Sequence, residues 1–245
     1  LFFAHMDHGI FLVRLDKAGK PLGPPVLVEP DPQARAPSAD ITADGFVLAW
    51  VTEGDPPPST HISWCSDSPD SRPDMTRIRL LTREGVTTGL PGPVTILERA
   101  GGPADVAVGE GGFGVSSWTT RTVEHESCGH RFIRVSADLS EATYSGILSD
   151  GVGGDVVWTG DAWATSWAHF DTMYGGEIES CVARFGISGE LLFPPVCTNT
   201  GGTEWPQSSR LASGDGGLAV LLGTGHSGAL SFYRTDDRGV AVSSD

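Results

Sequence analysis

A repeat constrains this chain more than any other feature. Four segments align: "DITADGFVLAW", "DVAVGEGGFGVSSW", "DVVWTGDAWATSW" and "RLASGDGGLAVLL". Each reads as a short strand, a Gly/Asp turn and an apolar strand, and three end in Trp (Trp50, Trp118, Trp167). A second hairpin follows each one and also opens the chain: "FLVRLDKAGKPLGPPVLVEP", "RIRLLTREGVTTGLPGPVTILE", "RFIRVSADLSEATYSGIL", "CVARFGISGELLFPPVCTN" and "LSFYRTDDRGVAV". An Arg recurs in it as Arg14, Arg79, Arg134, Arg184 and Arg234. The unit is therefore four-stranded, with a period of roughly 45 to 70 residues, the scale of a propeller blade.

Strands such as Phe46 to Val51 are apolar on both faces, which suits a sheet covered by two others. Helical periodicity is absent, and Gly and Pro interrupt each candidate window. A radial stack of blades meets these demands, whereas the two sheets of a sandwich would not repeat one four-strand unit. The expected fold is an all-β propeller of about five four-stranded blades, one domain over residues 1–245 or a piece of a larger ring. Residues 1–29 supply only the second to fourth strands of a blade, so its innermost strand is expected from an upstream segment or a second chain. The repeats, with hairpins such as "RLDKAGKPLG", resemble uncharacterised secreted bacterial β-propeller proteins. The resemblance spans nearly the whole chain and implies fold rather than activity.

Composition narrows the partners. A net charge of −15 disfavours nucleic acid and anionic membranes. No apolar run is long enough for a membrane helix. Four Cys in a Gly- and Pro-rich chain suit a secreted or periplasmic protein with two disulfides. Cys181 and Cys197 stand equidistant from a turn near Gly189 and should face each other across antiparallel strands. Cys65 and Cys128 fall in equivalent loops of consecutive blades, a second candidate pair.

The seven His are assigned to segments between second and third strands, which gather on one face of a propeller. Acids accompany them. His5, Asp7, His8, Glu124, His125, His169 and Asp171 are candidate ligands for a divalent metal such as zinc, copper or calcium. His61, His130 and His226 join Asp40, Asp105 and Asp155, which open three first strands, as candidate ligand-binding residues; Arg210 takes the matching place in the last blade. Trp64 and Trp205 lie outside the regular strands and could stack on a sugar ring. The competing reading is a hydrated acidic rim, with the Asp residues as turn caps.

No catalytic motif is complete. In "TGHSGA" Ala229 replaces the last Gly of Gly-x-Ser-x-Gly, and the strand-to-helix elbow is missing. The expectation is a secreted protein that binds a glycan, peptide or other small molecule on a His- and acid-rich face. Two alternatives stand beside it: a metal-dependent hydrolase or lyase using the same face, and a structural module of a larger assembly.

Overall fold

The computed structural model describes all residues except 1, 7–8, 53–73, 91, 120–128, 150, 171–177, 200–205, 215–216, 225–229, 237, 239 and 244–245. The described residues hold nineteen strands and no helix. The first blade comprises β1 (Phe2–Met6), β2 (Gly9–Val13) and β3 (Val26–Glu29). The second is built from β4 (Ala34–Ile41), β5 (Gly45–Thr52), β6 (Asp74–Thr82), the short β7 (Thr87–Thr88) and the first part of β8 (Val94–Gly109). The rest of β8 opens the third blade, completed by β9 (Gly112–Thr119), β10 (Gly129–Ser136) and β11 (Ala142–Tyr144). The fourth contains β12 (Val152–Trp158), β13 (Trp163–Phe170), β14 (Ile178–Phe185) and β15 (Leu191–Asn199). The fifth contains β16 (Pro206–Gly214), β17 (Gly217–Thr224), β18 (Leu230–Thr235) and β19 (Ala241–Ser243). All pairing is antiparallel, and the fold is a β-propeller of five blades whose first sheet is three-stranded.

The core is divided into seams between consecutive blades. In β5, Phe46, Leu48 and Trp50 meet Ile10, Leu12 and Val28 of the first blade. The alternate residues Val47, Ala49 and Val51 meet Val106, Phe113 and Val115 of the third. This is the two-residue period of a strand buried on both faces. At the next seam Phe132 stacks on Phe185 at 4.3 Å, and the fully buried Trp163 lies against the third blade. Burying an aromatic side chain of this size is worth on the order of 3 kcal/mol. The space for it comes from Gly114, where a Cβ would stand 2.6 Å from the indole. Trp50, Trp118 and Trp167 are all buried, as their shared repeat position implied.

Cys181 pairs with Cys197 in register and forms the disulfide expected from the sequence. One recurrence is corrected. Counted from the hairpin closure, Leu80, not Arg79, matches Arg134, Arg184 and Arg234, since these four pair with Val47, Gly114, Ala164 and Ala219. Arg79 therefore points to the opposite face, where it reaches the Val28 carbonyl at 2.8 Å and Glu29 at 3.3 Å. Arg134 and Arg184 instead fold over the first turn of their own blades, at Gly111 and Asp161.

Candidate active site in the channel

The innermost strands β4, β8, β12 and β16 surround the channel, and each carries a bulge. Register shifts fall between Arg35 and Ser38, Ala100 and Ala104, Val152 and Asp155, and Pro206 and Ser208. Bulges re-aim the side chains that follow them. The residue four positions before each hairpin closure is Ser38, Asp105, Asp155 or Arg210, counted from Thr42, Gly109, Thr159 and Gly214. These four residues share one level of the ring. Asp40, aligned with them by sequence, stands two residues nearer the turn; the correction follows from the count back from the closure, since Asp40 is two residues from Thr42 where Asp105 is four from Gly109 and Asp155 four from Thr159.

Two bonds tie this level from blade to blade. The Ser38 hydroxyl accepts the Val106 N–H at 3.3 Å, and Asp155 Oδ2 accepts the Leu211 N–H at 2.7 Å. Val106 follows Asp105, and Leu211 follows Arg210, so the two bonds are equivalent. Asp40 makes a parallel clip one step along, accepting the Val108 N–H at 2.7 Å while its other oxygen accepts that of Ile41. Asp155 likewise turns its second oxygen to the Val156 N–H.

At Asp105 the pattern changes. Its carboxylate reaches across to Arg210, two blades on, in an ion pair of 2.7 Å. Asp105 is mostly buried, while the Arg210 side chain is 59% exposed and open to an incoming molecule. Asp155 comes from the blade between them and feels both charges. Burial, reinforced by the Asp105 carboxylate, pushes its pKa up to about 6, against the opposing pull of the Leu211 N–H and Arg210. Three consecutive blades thus bring two carboxyl groups and one guanidinium together.

His130 is buried rather than on a solvent-facing loop. It is the second residue of β10, opposite Trp118, and has no exposed surface. Its ring stacks on Trp167 at 4.7 Å, and Nε2 contacts the hydroxyls of Thr165 at 2.9 Å and Ser116 at 3.3 Å. Thr165 donates to the Asp155 carbonyl at 2.8 Å, so it accepts from His130 Nε2–H. Burial pulls the His130 pKa down to about 3, so the ring is neutral. Gly154 leaves the space: a Cβ there would lie 2.2 Å from the imidazole. His130 is a seam residue, separated from the channel by the backbone of β12.

The other expected site residues are less gathered. His169 lies within β13, opposite Glu179, and His5 within β1, opposite Ile10, so neither is in a loop. Asp7, His8, His61, Trp64, Cys65, Glu124, His125, Cys128, Asp171, Trp205 and His226 fall outside the described residues. Among the described residues, Glu179, Cys181 and Cys197 are the one group of three potential ligands close enough to share an ion. The disulfide occupies both sulfurs of that group.

No protein-family model matches the chain, and no curated protein matches it by sequence. Its fold is similar to that of an alpha-L-arabinofuranosidase from Lactobacillus brevis, with a TM-score of 0.50 and 12% identity over 84% of this chain and 68% of that one. An endo-arabinase from Bacteroides thetaiotaomicron aligns with a TM-score of 0.47 and 10% identity over 87% of this chain and 82% of its own. A Synechocystis apocarotenoid oxygenase aligns with a TM-score of 0.47 and 13% identity over 93% and 52%. At such identities the likeness is one of fold.

Proposed function

We propose that this protein is a carbohydrate-active propeller that binds a glycan in its channel and hydrolyses it, with Asp105, Asp155 and Arg210 as the working residues. The observation that carries the reading is the convergence of these three side chains, from three successive innermost strands, beside an exposed guanidinium. Glycosidic cleavage needs one carboxyl group that gives a proton and a second that acts as carboxylate. Asp155, raised to about 6, can still carry a proton in mildly acidic solution. Each of its oxygens uses one lone pair on a backbone N–H and retains another for the proton. Asp105, paired with Arg210, would supply the carboxylate. The likeness to an arabinofuranosidase supports a sugar as substrate class, by analogy of fold.

One observation favours binding without cleavage. Asp155 makes the same two backbone bonds as Asp40, and such a clip serves the ring whatever passes through it. A single domain and an extracellular or periplasmic place of work belong to the proposal. The Cys181–Cys197 disulfide supports that location, since such bonds persist in oxidising compartments.

The test is a panel of aryl glycosides and oligosaccharides assayed for hydrolysis and, by calorimetry, for binding. Wild type should release sugar from at least one of them. Asp105→Asn and Asp155→Asn, folded by circular dichroism, should lose about a hundredfold or more in kcat/KM. Binding without turnover would leave only the second reading. Neither binding nor turnover across the panel would remove both.

A further inference from the structure

Glu179, Cys181 and Cys197 share one face of the fourth blade. Glu179 stands two residues before Cys181 on β14, and Cys181 lies opposite Cys197 of β15. A carboxylate oxygen and both sulfurs lie within 4.8 Å of one another. The group sits at the seam between the third and fourth blades, both of them four-stranded. Cys181 is fully buried there in one core with Phe132 and Trp167. Cys197 is exposed, so solvent reaches the bridge from the outer strand.

The outer strand needs a fastener. β15 is the outermost strand of its sheet and pairs with β14 alone. Its ladder is interrupted between Phe193, which pairs with Arg184, and Val196, which pairs with Val182. Pro194 and Pro195 fill that gap and bring no N–H to it. Cys197 follows directly after Val196, and its bond to Cys181 holds the strand in register beyond the break. A disulfide forms from two thiols, so each copy of the chain passes through a dithiol state in which this bond is absent.

In that state the same three residues form a ligand set. Two thiolates and a carboxylate suit zinc, whereas calcium and magnesium take oxygen ligands. Tetrahedral zinc, with bonds of about 2.3 Å to sulfur and about 2.1 Å to oxygen, needs its ligand atoms roughly 3.6 to 3.8 Å apart. The sulfurs part once the bond between them is cut, and the carboxylate closes in by a side-chain adjustment. The fourth position falls to water.

We propose that in the dithiol form Cys181, Cys197 and Glu179 bind one zinc ion, which holds β15 in register until oxidation replaces the metal with the disulfide. Binding forms two zinc–sulfur bonds and releases the two thiol protons. The oxidant is a small-molecule disulfide, attacked by the accessible sulfur of Cys197. Its S–S bond and both zinc–sulfur bonds break, and the Cys181–Cys197 bond forms. Two electrons pass from the cysteine sulfurs to the oxidant, which takes up two protons and leaves as two thiols. Zinc departs as the free divalent ion.

The experiment uses the full chain, reduced with a phosphine, freed of it without air, and titrated with zinc or with cobalt(II) as a spectroscopic substitute. Reduced wild type should bind one equivalent, and cobalt should show a thiolate charge-transfer band. Cys197→Ser, at an exposed position, should abolish that uptake, and Glu179→Gln should weaken it about tenfold or more. Oxidised glutathione added to the zinc-loaded chain should release one equivalent of zinc to a chromogenic chelator and restore the disulfide by mass. No uptake by the reduced chain would overturn the proposal. So would uptake that survives Cys197→Ser, uptake that Glu179→Gln leaves unchanged, or the same uptake by the oxidised chain. If reduction alone abolishes the β-sheet circular dichroism, zinc should restore it, and failure to do so would equally overturn the proposal.

Discussion

The seam between the third and fourth blades and the channel beside it are built from the same strands, yet they use burial differently. In the seam, His130 is fully enclosed, stacked on Trp167 and tied through Nε2 to Thr165. In the channel, Asp155 lies on the other end of that connection, since Thr165 also holds its carbonyl. Burial moves both groups toward neutrality, His130 downward and Asp155 upward. Only Asp155 has a second carboxylate and an exposed guanidinium beside it. The same desolvation makes a structural fastener in a dry seam and a reactive group where charges face an opening.

That contrast can be broken at several points. His130→Ala should cost the most, about 3 to 4 kcal/mol in urea unfolding, because it opens a cavity and leaves Ser116 and Thr165 without their partner. Glycan turnover per folded molecule should change far less than stability.

The pH dependence comes next, and its sign differs between the two groups. Asp155 has a folded pKa above its ordinary value of 3.8, so its contribution is full below pH 3.8 and is lost as pH rises through about 6. The loss is on the order of 2 to 3 kcal/mol. His130 behaves oppositely: its contribution is present above pH 6.5 and is lost as pH falls toward 3. Denaturation curves of Asp155→Asn should therefore approach, or overtake, those of wild type as pH rises from 4 to 7. A constant offset across that range would show that Asp155 is ionised throughout.

Arg210→Ala should weaken glycan binding about tenfold in calorimetry, the value of one lost charge-assisted contact, with little change in melting temperature. The smallest effect belongs to the clip in the second blade. Ser38→Ala removes one neutral hydrogen bond to Val106 and should cost about 1 kcal/mol without altering glycan binding.

Much of this architecture was legible in the sequence. The Trp spacing and the mirror placement of Cys181 and Cys197 follow from strand alternation and hairpin symmetry, which are local rules. Asp105, Asp155 and Arg210 were visible as one repeat position. The place of the hairpin closure was not: Asp40 is two residues from it at Thr42 and Asp105 four from it at Gly109, so an alignment on the Asp matches Asp40 to Asp105, although Ser38 holds that place. Arg79 was misaligned by one residue, which turns a side chain to the opposite face. His130 reads as a loop residue because it precedes the apolar run that opens at Arg131, although β10 already begins at Gly129. The reason for its burial lies in Gly154 of the next blade, a contact across sequence that the period of the repeat does not encode.

The central claim is that Asp155 and Asp105 act as a coupled pair in the channel. Its most direct test is a titration of the aspartate side-chain carboxyls by carbon-13 NMR, in wild type and in Asp105→Asn. The account expects one carboxyl to titrate near pH 6 in wild type and to move down by a measurable fraction of a unit in the variant, because a neighbouring negative charge has been removed. If every aspartate titrates at or below about pH 4, or if the high value is indifferent to Asp105, the channel holds a structural clip and not a reactive pair.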